Sequence, residues 1–199
     1  MNLSFSTNGW KLSFDELLKL LSENKIFGLE LHDVSSPVFG AEKPFAESNV
    51  ARTKKKLFEY GVTVSCIDAV GNLADGNHDK NVKEILSLIS LAKNIGCKYI
   101  RLHAYQTAGG DITSQEKAAV RVIKDVLPAA EKAGVTLLVE TMGIYADTLK
   151  LADMLSEFAC DNLSALWDVH HTCAFAGESP DKTVKNLGKH IKHIHIKTA

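Results

Sequence analysis

Three apolar segments of the chain carry side chains that commonly bind metal ions. These are Glu140 after the run 135–139, Asp168 after the run 163–167, and His195 within the run 191–197. Each run has the composition of a buried parallel strand. Two carboxylates and one imidazole suit one divalent cation, such as Mn²⁺, Zn²⁺, Co²⁺ or Mg²⁺. Any one of them could instead be a polar residue that closes a strand, but three together favour a metal-assisted enzyme, because unpaired buried carboxylates are costly.

Histidines accompany two of these segments. His170 and His171 follow Asp168, and we expect only one of the two to point inward. His193 and His195 alternate along their strand, so both face the same side. One of them would bind the metal, while the other would orient it, meet a substrate or be a satisfied core histidine.

Two earlier strands also end in polar pairs that share a face. Glu30 and His32 form the first pair, and either could line a pocket. Arg101 and His103 form the second, in which His103 fits a substrate contact and a structural hydrogen bond almost equally well. Weaker candidates follow the third strand at Asp68 and Asn72.

The elements that would position these residues repeat along the chain. Apolar runs rich in β-formers begin near residues 2, 27, 62, 98, 135, 163 and 191. Helical periodicity is found over 14–24, 49–60, 79–95, 114–133, 145–159 and 180–189. Helix starts are predicted from two capping boxes, 13–16 and 113–116, and from a serine before a proline at 179–180. Three helices are expected to end at a glycine, at 61, 96 and 134.

Alternating strands and helices without a break in composition predict one α/β domain. A doubly wound sheet and a (βα)₈ TIM barrel both fit, but polar residues at nearly every strand end favour the barrel. Only seven strands are found in the 199 residues, whereas a typical barrel needs about 250 residues. We therefore expect residues 1–199 to be a single, C-terminally truncated barrel that lacks its eighth βα unit. Such a chain would be a fragment, a truncated product, or a homo-oligomer that covers its open edges.

The bulk composition excludes several other classes of protein. A net charge of −1 gives no electrostatic footprint for nucleic acid or an anionic membrane. The start of the chain does not resemble a signal peptide, and no apolar stretch approaches a membrane span. The 4 cysteines are far apart in the sequence, which predicts reduced thiols and a cytoplasmic location.

At these residues the chain resembles the xylose-isomerase-like TIM-barrel superfamily, which includes sugar phosphate isomerases and epimerases and endonuclease-IV-like enzymes. The matching stretches follow in order along essentially the whole chain, at 28–31, 139–140, 167–171 with 176–180, and 191–197. The resemblance implies that Glu140, Asp168 and His195 hold one divalent cation. The family takes a fourth, acidic ligand from an eighth strand, which has no counterpart here. Thr198 stands where the family motif usually has an aspartate.

The resemblance also implies an activity in carbohydrate metabolism. It is the isomerisation or epimerisation of a sugar or sugar phosphate, by proton abstraction next to a carbonyl through a metal-stabilised enediolate. Glu140 and His171 would be catalytic. The small-molecule sugar or polyol would be bound by Glu30, His32, His103, His193 and Lys197. An inosose-type dehydratase and a non-catalytic barrel fragment are alternatives, whereas the sparse ligands and low charge disfavour a DNA-repair endonuclease.

Overall fold

A computed structural model describes residues 2–9, 11–35, 39 and 42–197. The strands are β1 (Ser4–Ser6), β2 (Gly28–Leu31), β3 (Thr63–Asn72), β4 (Tyr99–His103), β5 (Thr136–Glu140), β6 (Leu163–Asp168) and β7 (Ile191–His195). The main helices are α1 (Phe14–Glu23), α2 (Val50–Glu59), α3 (His78–Ile95), α4 (Ile112–Ala133), α5 (Thr148–Phe158) and α6 (Pro180–Leu187). Each predicted strand and helix is therefore present, while Thr198 lies outside the described residues.

The strands form one parallel sheet whose spatial order is the chain order, from β1 to β7. A doubly wound sheet would reverse its order at a switch point, and this sheet does not. It is a curled half-barrel with a helix after each of the first six strands, which confirms an incomplete TIM barrel of the α/β class. Within the described residues, β1 and β7 each pair on one side only.

Local capping signals explain where most helices start. The Ser13 hydroxyl accepts a hydrogen bond from the Glu16 backbone N–H at 3.4 Å, and the Glu16 carboxylate accepts one from the Ser13 N–H at 2.9 Å. Before α6, the Ser179 hydroxyl accepts from the Lys182 N–H at 3.3 Å. Gly61, with a φ of 66°, follows the C-cap of α2. Gly96 and Gly134 are the C-caps of α3 and α4, and their φ angles of 84° and 68° are in the left-handed region that favours glycine.

The second predicted capping box is wrong. Helix α4 begins at Ile112, and its N-cap is Asp111, whose carboxylate accepts a hydrogen bond from the Ser114 N–H at 2.8 Å. Aspartate is at least as good an N-cap as threonine. The helix therefore starts two residues before the predicted position.

The helices cover the outer face of the curled sheet. The carboxyl ends of its strands lie together along one edge. Strands β2, β5 and β6 are buried at every residue, as parallel strands under helices should be. The parallel register pairs Asp168 with His195 and Asp68 with Arg101 on neighbouring strands. Polar groups at the carboxyl ends of the strands are thereby brought to one place. Among the described residues, no helix is long and apolar enough to cross a membrane.

Candidate metal centre

The three predicted metal ligands lie together at the carboxyl ends of β5, β6 and β7. One ligand atom from each of Glu140, Asp168 and His195 falls within 4.8 Å of the others. Glu140 Oε1 lies 3.5 Å from His195 Nδ1. Both carboxylates are fully buried. The sheet therefore delivers two carboxylates and one imidazole to one point, as the sequence pattern requires.

One oxygen of each carboxylate has no hydrogen-bond partner among the described residues. These atoms are Glu140 Oε1 and Asp168 Oδ2, and both are buried. Lys197 Nζ lies 2.8 Å from Asp168 Oδ2, which makes an ion pair without a well-aligned hydrogen bond. Leaving a buried carboxylate oxygen unpaired is costly. The residues present fit a divalent cation, because oxygen and imidazole nitrogen are the ligands that such ions take.

Arg101 fixes the Glu140 carboxylate. Its Nε and Nη2 donate to Glu140 Oε2 at 2.9 and 2.7 Å, while its Nη1 donates to Asp68 Oδ2 at 2.6 Å. With Oε2 occupied, Oε1 is the oxygen left to face His195. Burial alone would raise the pKa of Glu140, but the neighbouring imidazoles of His103 and His195 and the charge of Arg101 outweigh it and hold that pKa well below its usual range.

The charges around this point do not balance by themselves. Four buried carboxylates gather here, namely Glu30, Asp68, Glu140 and Asp168. The side-chain cations that contact them are Arg101 and Lys197. With the histidines neutral, as His195 must be to bind a metal ion, two negative charges remain. One divalent cation would neutralise them, whereas a second would leave an excess of positive charge.

Glu30 connects the second strand with the seventh. Its Oε2 lies 2.9 Å from Nε2 of His193 and 2.9 Å from Nε2 of His195. Burial alone would raise the pKa of Glu30, but these two hydrogen bonds outweigh it and lower that pKa to about 2. Burial would lower the pKa of His195, while the neighbouring carboxylates of Glu140 and Glu30 raise it to about 9.

Glu30 also belongs to two further groups of metal-type side chains, one with His193 and His195 and one with Cys66 and Asp68. The charge balance at the mouth of the sheet favours one cation rather than several. Glu30 Oε1 and Asp68 Oδ1 are likewise buried without a hydrogen-bond partner among the described residues. The Glu140, Asp168 and His195 group is nevertheless the best candidate, because it supplies two carboxylates and an imidazole. The group with His193 has one carboxylate, and burial raises the pKa of the Cys66 thiol in the other group, which disfavours the thiolate that binds metal.

His171 lies beside the predicted ligands. Its backbone N–H donates to Asp168 Oδ1 at 3.0 Å, and its Nδ1 lies 3.6 Å from Asp168 Oδ2 and 3.9 Å from Glu140 Oε1. Lys197 Nζ approaches His171 Nε2 at 3.1 Å. Burial lowers the pKa of His171 below its usual value. The neighbouring His170 is half-buried, with its ring edge-on to Phe175 at 5.5 Å, so only His171 faces the carboxylates.

The remaining predicted site residues lie on the same edge of the sheet. His103 is buried, with its Nδ1 3.4 Å from Glu140 Oε2 and its ring stacked on Tyr105 at 5.3 Å. His32 Nδ1 lies 3.0 Å from Asp68 Oδ2, and this hydrogen bond raises the pKa of His32. His103 is thus connected to the candidate metal centre directly, and His32 through Asp68 and Arg101.

Sequence reasoning underrated two residues. Arg101 was noted only for sharing a face with His103, and Asp68 only as a weaker candidate, yet their ion pair supports Glu140. Cys66 was missed, although it alternates with Asp68 on β3 and so faces the same side. Asn72 has a structural role, because its side chain binds both the N–H and the C=O of Tyr105, at 2.9 and 3.1 Å.

The fold and the site define a class of proteins. The family model of the xylose isomerase-like TIM barrel matches residues 15–199, so the chain belongs to that family. This agrees with the resemblance seen in the sequence motifs. No curated protein sequence matches the chain significantly.

Similar solved structures cover nearly all of the chain. They include the 3-keto-D-glucoside 4-epimerase YcjR from E. coli, with 15% identity, a TM-score of 0.80, and coverage of 100% of this chain and 79% of that one. The IolI protein with a bound zinc atom has 17% identity and a TM-score of 0.81, covering 98% and 72%. The probable 3-DHS dehydratase AsbF from Bacillus anthracis has 19% identity and a TM-score of 0.80, covering 98% and 73%. At such identities the likeness shows the shared fold.

Proposed function

We propose that this protein is a divalent-metal-dependent isomerase or epimerase of a small sugar or sugar phosphate. The observation that carries the proposal is the cluster of Glu140, Asp168 and His195, in which one buried oxygen of each carboxylate has no hydrogen-bond partner among the described residues. Family membership and the epimerase among the similar structures support it. The zinc-bound IolI structure supports a divalent metal in this family.

Glu140, Asp168 and His195 would hold the cation. When bound, it would polarise a sugar carbonyl and acidify the neighbouring C–H. The base in this proposal is Glu140, because its Oε1 is not bound by Arg101 and has two lone pairs, one to hold the cation and one to accept the proton. Because Arg101 and the nearby imidazoles make this carboxylate a weak base, it would work only on a strongly acidified proton.

His171 would act on the substrate without being charged. Its lowered pKa keeps the imidazole neutral near pH 7, so that it can donate one hydrogen bond and accept another. Lys197 occupies its Nε2 side, and Nδ1 is left facing the carboxylates. His32 and His103 remain proposed substrate contacts. A cytoplasmic location and a role in carbohydrate metabolism also remain predictions.

The reaction depends on where the proton returns. Isomerisation needs one base that delivers the proton to the neighbouring carbon on the same face. Epimerisation needs a second donor on the opposite face. Both begin with abstraction of a C–H proton next to the carbonyl. Exchange of that proton with solvent reports the abstraction, so it is measured first.

The first experiment is the metal content of the purified protein after incubation with Mn²⁺ and desalting, measured by inductively coupled plasma mass spectrometry. We expect about one ion per chain in the wild type, since three ligands from separate strands define one site. The Glu140→Gln and Asp168→Asn variants should lose it. Asp161→Asn, on an exposed residue of the same charge, is the matched control and should keep it. A wild type that retains no ion would contradict the proposal.

The second experiment tests the chemistry on the metal-loaded protein. Aldoses, ketoses and their phosphates are incubated in D₂O, and deuterium at the carbon next to the carbonyl is followed by NMR. Exchange that is lost in Glu140→Gln supports an isomerase or epimerase. The dehydratase among the similar structures makes water loss from a keto-polyol the competing outcome. A metal-loaded protein that catalyses neither reaction would contradict the proposed enzymatic activity and support metal binding alone.

A further inference from the structure

Glu30 is a buried carboxylate to which the proposed reaction gives no role. It lies on β2, whereas the two imidazoles that it contacts lie on β7, 163 and 165 residues further along the chain. Its Oε2 takes both contacts at 2.9 Å, and only 2% of the residue is exposed. A carboxylate placed in this way fixes the rings that it touches.

The two nitrogens of His195 have different partners. Nε2 faces Glu30 Oε2 at 2.9 Å, while Nδ1 faces Glu140 Oε1 at 3.5 Å. A neutral imidazole carries its proton on one nitrogen and a lone pair on the other. A carboxylate that accepts from the Nε2–H therefore leaves the lone pair on Nδ1, the nitrogen that points toward Glu140. Metal-binding histidines generally have such a partner, which sets tautomer and ring orientation.

We infer that Glu30 is a positioning residue for the metal centre, which holds His195 through its Nε2–H so that Nδ1 is presented to the cation. This inference rests on the proposed function. It gives Glu30 a role other than the substrate contact predicted from the sequence.

The same contact accounts for His193. Its Nε2 is bound to the same Glu30 oxygen, and its ring lies edge-on to that of His195 at 5.4 Å. The ligand group built on Glu140 and Asp168 includes His195 and not His193. His193 therefore buttresses Glu30, and one carboxylate holds two rings of alternate residues on one strand.

The test is a double-mutant cycle on Mn²⁺ affinity, with free Mn²⁺ measured by electron paramagnetic resonance. Glu30→Gln should weaken binding by about 10- to 100-fold, the usual effect of losing such a partner. In a His195→Ala background the same change should have an effect below about twofold, because the ring on which Glu30 acts is gone. Glu157→Gln, the same change at an exposed carboxylate on α5, is the control and should stay within about twofold of the wild type.

Equal losses in both backgrounds would overturn the inference, because Glu30 would then act through its charge and not through His195. Unchanged affinity in Glu30→Gln would also overturn it, while leaving the metal function intact. Melting temperatures of the metal-free variants show whether each is folded.

A metal-free measurement separates this inference from the proposed function. In ¹⁵N-labelled apoprotein, the His195 Nε2 proton should be visible and protected from exchange. In Glu30→Gln it should exchange at least about tenfold faster, since a hydrogen bond to a charged group is replaced by a weaker one. An unprotected Nε2 proton in the wild type would refute the contact itself. A protected proton in a protein that binds no metal would instead refute the proposed function and keep the contact.

Discussion

At the scale of single residues, Arg101 determines the electrostatics of the site. It is 9% exposed and divides its donors between two buried carboxylates, those of Glu140 and Asp68. The planar fork of arginine suits this division, whereas the ammonium of lysine is a single point of charge. Arg101 therefore has two effects, because it pairs two buried charges and turns the free oxygen of Glu140 toward His195.

Replacing Arg101 should destabilise the metal-free protein strongly. Arg101→Met leaves two buried carboxylates without their cation, and removing one partner of a buried pair costs about 3–5 kcal/mol. Urea unfolding followed by circular dichroism measures this loss. Addition of Mn²⁺ should recover more stability in the variant than in the wild type, since the ion replaces the missing positive charge.

Arg52→Met provides the control for this prediction. Arg52 is exposed on α2, and surface substitutions usually stay within about 0.5 kcal/mol. An Arg101→Met protein as stable as this control would show that the two carboxylates are protonated or hydrated instead of paired.

At the scale of elements, the junction of α5 and α6 depends on one buried carboxylate. Glu178, which precedes α6 and is 3% exposed, accepts hydrogen bonds from the N–H and the hydroxyl of Thr148 at 3.2 and 2.6 Å. Its Oε2 also accepts from the Thr183 hydroxyl at 3.2 Å. Thr148 is the first residue of α5 and Thr183 lies within α6. The carboxylate thus ties the starts of two adjacent helices, next to the turn that carries His171.

Glu178→Ala should lower the free energy of unfolding by about 1.5–3 kcal/mol, because a charged acceptor is removed and buried donors lose their partner. Glu178→Gln keeps one acceptor and should lose less. Thermal and urea unfolding measure both. Glu157→Ala, at an exposed position in α5, should leave the free energy of unfolding nearly unchanged. An equal decrease in that variant would mean that the charge on the helices matters more than the hydrogen bonds of Glu178.

At the scale of the whole molecule, the open sheet is the main feature. Strands β1 and β7 pair on one side only within the described residues. On β7 and just after it, Ile194 and Ile196 are 45% and 84% exposed, while His193 and His195, which alternate with them, face the interior. An unpaired parallel edge with apolar side chains is a template for association. The sequence-based prediction of a homo-oligomer over the open edges remains a prediction.

Placing a charge at this edge tests that prediction. Ile196→Lys should shift the molecule toward the monomer, because a lysine at an edge opposes strand pairing. Sedimentation velocity over a range of protein concentrations measures the shift. Phe58→Lys is the matched control, since Phe58 is 87% exposed but lies on α2. Loss of association in Phe58→Lys alone would place the interface on the helices.

The sequence by itself determined the elements and the types of side chain that meet at the candidate site. Hydrophobic periodicity, glycines at helix ends and most helix caps depend on residues that are close together in the sequence. Seven strands and six helices could therefore be predicted from the chain alone. Glu140, Asp168 and His195 could also be predicted as a group, since parallel strands of regular register bring their carboxyl ends to one edge. The start of α4 was misjudged because two capping residues compete locally, and Asp111 outweighs Thr113.

Only the tertiary structure decided which polar groups pair. The curl of the sheet brings Glu30 within hydrogen-bond reach of two histidines more than 160 residues away. It also lets one guanidinium reach both Asp68 and Glu140. Such pairings depend on differences of a few tenths of an ångström in the distance between side chains from different strands, because hydrogen bonds weaken steeply as distance and angle depart from their preferred values. Local sequence patterns contain no information about those distances, so the contacts of Glu30 and Arg101 became visible only in the fold.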